Sequence, residues 1–157
     1  VTYNLHPIFV HFPIALLFLY SVLAIIPLEL WFPKISWKQI RLFLLVIGLL
    51  GAFAALWTGS TARHLTNPSR QVVGMHSTFA ALSTWLYGFL LCLEIVPFFA
   101  FSFVQRRRFV YSLLIKTIAL VALISILITG LLGGVMVYGT SADPISPTVL
   151  HILNISP

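Results

Sequence analysis

His6-Pro7-Ile8-Phe9-Val10-His11-Phe12-Pro13 opens an apolar run that continues to Leu28. That run is close to the roughly 20 residues a helix needs to cross a hydrocarbon core. Two imidazoles at its mouth are costly in lipid, and titratable groups inside a span face a bundle interior and mark functional pathways. The stretch therefore decides two things at once. The chain is a membrane protein, and its chemistry is to be sought where these histidines meet a partner.

The composition agrees. Of 157 residues, 60% are hydrophobic and 8% are charged, and the mean hydropathy is +1.06. A soluble domain of this length could not hide that much apolar surface. A net charge of +6 would suit nucleic acid, but the basic residues cluster between apolar runs instead of lining one helical face. Such clustering is a topology signal, so no nucleic-acid partner is expected. Cys92 is the lone cysteine and lies within an apolar run, which excludes an internal disulfide and a cysteine-held cluster. Ahead of the first span there is no basic n-region and no small-residue cleavage site, so no cleavable leader is expected there.

Four spans can be read, at about 7–28, 40–57, 71–93 and 111–138, followed by a polar tail at 139–157. Pro7 suits an early helical position, whereas Pro13 is expected to loosen the second turn. Glu94 and Pro97 suggest a bend beyond the third span. Lys34, Lys38, Arg41, Arg106, Arg107 and Arg108 fall in the first and third connections, and only Arg63 and Arg70 fall on the opposite side. The positive-inside tendency then puts both termini outside, which is the periplasm for a bacterial inner membrane. The expected fold is all-α: a transmembrane four-helix bundle, up-and-down, N-out and C-out.

On that topology His6, His11, His64, His76 and His151 all belong to the outer half. His11 and His76 each stand a few residues into their spans, about 6–8 Å below the boundary. Their helices would be diagonal in the bundle, and neighbouring axes about 8–10 Å apart leave room for one metal centre between opposite corners. Small residues fit a withdrawal of the other walls: Gly48, Ala52, Ala55 and Gly59 on the second span, and Gly130, Gly133 and Gly134 on the fourth. Ala15 and Ala80 stand one turn below the two histidines. Arg63 and Arg70 could pair with two propionates. The constellation fits a b-type haem with His11 and His76 as axial ligands, and with Gly59, Gly130 and Gly134 lining the hollow. His6 and His64 form a second, shallower pair, or bond propionates or loop backbone. Close helix packing is the competing explanation for the small residues, and interhelical hydrogen bonding for the histidines. No phosphate loop, nucleophile–base motif or ring of pore-lining polar residues is present.

The same residues resemble a bacterial family of small four-span membrane proteins of unknown function. Its members open with His-Pro-x-x-Val-His-Phe-Pro-Ile-Ala, matched here by His6 to Ala15. They also carry a histidine early in the third span, matched by His76. A Gly-Gly-x-x-Val-Tyr-x-x-Gly-like end to the fourth span is matched, with a shift, by Gly133-Gly134-Val135-Met136-Val137-Tyr138-Gly139. The chain departs from the family at Thr58-Gly59-Ser60, where an acidic residue is common. Some members are fused to Rieske-type iron–sulfur domains, so the resemblance implies an electron-transfer setting.

The expected function is thus a haem-bearing electron-transfer subunit within a larger respiratory or photosynthetic complex. It would bring no bond-making chemistry of its own. Its partners would be lipid, other subunits of the complex, and a periplasmic carrier or quinone. Two rivals stay open: a cofactor-free anchoring subunit, and an outer-leaflet site for copper, zinc or a quinone.

Overall fold

The structure, a computed structural model, describes residues 6–62, 69–140 and 143–155. Among them every regular element is helical. In order they are α1 (His6–Ile25), a 3₁₀ turn (Leu28–Leu30), α2 (Trp37–Ala62), α3 (Arg70–Phe99), α4 (Phe101–Arg106), α5 (Arg108–Tyr138) and α6 (Ser146–Ile152). Helices are what apolar sequence forms in lipid, because each satisfies its own backbone polar groups. Three of them are long and apolar enough to cross a membrane: α2 over Trp37–Gly59, α3 and α5. The apolar stretch of α1, Phe9–Ile25, is shorter.

The helix ends have local causes. Pro27 lacks an N–H and stops α1, and the chain turns through the 3₁₀ segment to a loop pinned by Trp37, whose Nε1 donates to the Phe32 carbonyl at 2.9 Å. Pro13 does not end the helix; α1 runs on through it. Its ring is buried against Gly51 of α2, where an added Cβ would lie 3.1 Å from the Pro13 Cβ. The bend expected at Glu94–Pro97 falls later. α3 continues through Pro97, and the break comes at Ala100, whose φ of −130° and ψ of 45° are not helical. Gly139 ends α5 with a φ of 78°, in the left-handed region that glycine adopts without strain.

The tail expected to be merely polar contains α6. It docks on the α3/α5 pair through Leu150 and Ile155, which are buried with Val72, Leu132 and Val135. Gln71 Nε2 also donates to the Asn154 carbonyl at 3.0 Å. The short helix is capped by Asp143, whose Oδ1 accepts the Ile145 and Ser146 amides at 2.8 Å each.

Of the long helices, α1 packs on α2 and α5, and α3 packs on α5 and α2, so α1 and α3 occupy opposite corners. The α1–α2 and α3–α5 contacts are the most extensive. Glycines permit the first of these. An added Cβ at Gly48 would lie 2.7 Å from the Leu17 Cδ2, closer than van der Waals contact allows. Most of the main core, from Leu17, Tyr20 and Leu45 to Tyr87, Leu90, Ala119 and Ile126, lies toward the end that carries Lys34, Lys38 and Arg106 to Arg108.

Candidate functional site

On α1, His6, Pro13, Leu17, Tyr20 and Ala24 follow one another at steps of 7, 4, 3 and 4 residues. On α3, His76, Ser83, Tyr87, Leu90 and Glu94 do the same. In each series the last four residues are buried and the histidine is half-buried. Steps of 3 and 4 keep a residue on one face of a helix, so both histidines stand on the core-facing seam. The two seams meet directly lower down. Ser21 Oγ and Tyr87 Oη are 2.8 Å apart, and the Tyr20 and Tyr87 rings pack edge to face with centroids 6.1 Å apart. His6 precedes Ser21 by 15 residues and His76 precedes Tyr87 by 11. At 1.5 Å per residue the two imidazoles are therefore within about 6 Å of the same height.

Each imidazole is held through Nδ1 by the long helix that follows it. His6 Nδ1 is 3.0 Å from the Thr58 Oγ1, and that hydroxyl donates to the Ala55 carbonyl at 3.2 Å. The hydroxyl oxygen is left to accept, so Nδ1 carries the proton. His76 Nδ1 is 3.0 Å from the Thr129 carbonyl oxygen, which can only accept. In both rings Nδ1 therefore carries a proton, the arrangement in which a neutral imidazole binds metal through Nε2. Thr58 and Thr129 are each 21 residues from the first residue of their own helix, so the two hairpins present them at the same step. Glycine also lies beside each ring: an added Cβ would be 3.2 Å from the His6 Cε1 at Gly59, and 3.4 Å from the His76 Cε1 at Gly133.

The other residues singled out in the sequence are placed differently. His11 is exposed. Five residues beyond His6 it stands about 140° round the helix, off the seam, so it does not face His76 across the bundle. Gly59 does not line an empty hollow, because the His6 ring fills the space beside it. Gly130 is exposed, and Gly134 has nothing within 4 Å of an added Cβ. Arg70 is exposed at the first turn of α3, and His151 is exposed on α6. Arg63 and His64 lie outside the described residues. Among the described residues no group of three His, Cys, Asp or Glu side chains gathers around a common point. A two-imidazole site does not need one.

Sequence reading missed a second polar cluster, at the other end of the seams. Glu94 is 4% exposed, and its Oε1 accepts from the Tyr20 hydroxyl at 3.3 Å. Arg41 Nε approaches the same oxygen at 3.4 Å, while its Nη1 bonds Glu29 at 2.6 Å. Tyr111 donates to the Leu93 carbonyl next door. The missed signal was the step of 18 residues between His76 and Glu94, which puts the acid on the histidine's face and not on the lipid side.

No curated protein and no solved structure matches the chain. A family model described as a predicted membrane protein, DUF2231, matches residues 2–143, and the chain belongs to that family.

Proposed function

We propose that the chain is a four-span bundle, N-out and C-out, that carries a b-type haem near the outer leaflet and passes single electrons within a larger oxidoreductase complex. The ligand pair that fits best is His6 with His76, in place of His11 with His76. The observation that carries this reading is the shared placement of the two rings: same seam position, similar height, and Nδ1 anchored by the next long helix on both sides. An anchored Nδ1 fixes ring orientation and raises the basicity of Nε2.

The helix faces around the two histidines are also less buried than the core below them. Among the described side chains between His6 and Pro13, and between His76 and Ser83, none is fully buried. The main core and the α6-covered core are separate clusters. His76 stands among the second, between Met75 and Phe79, and His6 lies beyond the first, whose α1 members begin at Ile14. A haem there would supply a one-electron couple in a low-dielectric site, with imidazole ligation and burial setting its potential. Arg70 stands at the same end and could neutralise a propionate. Electrons would pass between a partner outside the membrane and the quinone pool or a neighbouring subunit.

The reduced-minus-oxidised spectrum of the purified full-length protein tests this reading. It requires a b-type α-band that is lost in His6→Ala and in His76→Ala and kept in His11→Ala. A colourless, correctly folded protein would overturn it. One specific observation favours the second reading, a cofactor-free anchoring subunit: Leu17, Pro13 and His6 occupy the spaces beside Gly48, Gly51 and Gly59, as in plain helix packing.

A further inference from the structure

A cavity of about 260 Å³ lies at the end of the bundle remote from the histidines. It sits where α1 ends and α2 and α5 begin, walled by Ala24, Pro27, Glu29, Arg41, Ser112 and Lys116. Lys116 is eight residues into α5, half-buried, and makes no ion pair among the described residues. Ser112 stands one turn before it on the same face. Arg41 is already engaged by Glu29 and Glu94, and its buried Nε has no hydrogen-bond acceptor. Glu29 is still open to solvent, with 47% of its side chain exposed.

The charges decide what such a cavity can hold. Glu29, Arg41 and Lys116 line the cavity and Glu94 stands behind Arg41, 3.4 Å from its Nε, so the four charges sum to zero. A net anion would add an uncompensated charge in a low-dielectric setting, and a net cation would do the same. A zwitterion adds none. Lys116 with the Ser112 hydroxyl offers two donors for a phosphate, and Glu29 offers acceptor oxygens for a primary ammonium. Ile26 and Pro27, exposed at the rim, give acyl chains an apolar way out to the bilayer.

We propose that this cavity binds the phosphoethanolamine head group of a membrane phospholipid, with phosphate on Lys116 and Ser112 and ammonium on Glu29. The site rests on the membrane reading alone and is independent of haem. Native mass spectrometry of the full-length protein in detergent, offered phosphatidylethanolamine, phosphatidylcholine and phosphatidylglycerol in equal amounts, tests it.

Phosphatidylethanolamine is expected to be retained about tenfold over phosphatidylcholine, which has no ammonium N–H to donate. The preference is expected to vanish in Glu29→Gln, whereas Lys116→Gln is expected to lower retention of both lipids alike. Ser112→Ala, an exposed change that leaves the packing intact, is expected to weaken retention of both severalfold. Equal retention of the choline lipid, preferential retention of the glycerol lipid, or a preference that survives Glu29→Gln overturns the assignment. Soluble phosphoethanolamine is expected to displace the lipid only in large excess. Displacement at equal concentration would make the free compound the ligand and overturn the lipid assignment.

Discussion

His6 and His76, 70 residues apart in the chain, stand at the same step of one repeated burial register on helices at opposite corners of the bundle. The repeat extends to their partners. α1 leans on α2 as α3 leans on α5, and a threonine at the same place in α2 and in α5 receives the imidazole. The two hairpins thus present their histidines in the same way.

That pairing predicts the pattern of loss in a spectroscopic scan. Substituting Thr58 by Val removes the acceptor of the His6 Nδ1 proton without touching a ligand nitrogen. On the proposed haem reading, the expected result is a midpoint potential that moves while the α-band is kept, with haem affinity falling about 10–100-fold. A redox titration of the Thr58→Val protein checks this; an unchanged potential and affinity would count against His6 as a ligand.

Gly48 is the tightest point of the α1–α2 contact. Gly48→Ala forces a methyl against Leu17, which is itself 1% exposed and cannot swing away. The expected cost is about 1–3 kcal/mol. Gly74→Ala meets open space and gains helix propensity of up to about 1 kcal/mol. Thermal unfolding of the two variants in the same detergent should therefore shift in opposite directions.

Ser21 and Tyr87 are both fully buried and bond only across the diagonal of the bundle. Tyr87→Phe leaves a buried hydroxyl without that partner, at an expected cost of about 1–3 kcal/mol. Adding Ser21→Ala should recover part of the loss. A double-mutant cycle on chemical unfolding is expected to show a coupling of at least about 0.5 kcal/mol, and additivity would deny the contact.

Asp143 gives a pH dependence outside the spans. The Ser146 hydroxyl, at 2.5 Å, holds its carboxyl below the usual carboxylate range, helped by the Ser146 and Ile145 amides. A carboxylate with a depressed folded-state pKa adds stability above its ordinary pKa of about 4 and loses it as pH falls through the lowered value. Hydrogen exchange at the Ile145 and Ser146 amides should therefore quicken on acidification below that range, and Asp143→Ala should exchange quickly at every pH.

How much of this was legible without coordinates depends on the residue. The apolar runs marked helices near their observed places, because lipid leaves a backbone little else to form. Pro27 marked the end of α1 by the donor it lacks. The break at Ala100 carried no such mark, since α3 tolerates Pro97 near its end and alanine is an unremarkable helix residue. α6 was read as polar tail because seven residues with two buried anchors, Ser146 and Leu150, are too few to show a period.

The candidate site divides the same way. That imidazoles crowd the start of the first and third helices was plain from the letters alone, and so was the small-residue stripe on the second. Which of His6 and His11 turns inward was settled by packing. A rotation of about 140° separates them, and only the fit of Pro13 and Leu17 into the glycines of α2 sets how α1 is turned. Glu94 was likewise visible as an acid, but its burial against Tyr20 and Arg41 comes from three helices meeting at one point. Hydrophobic content determines that helices form in a membrane; the facing of each helix, and hence which polar side chains meet, is decided by the shapes its neighbours present.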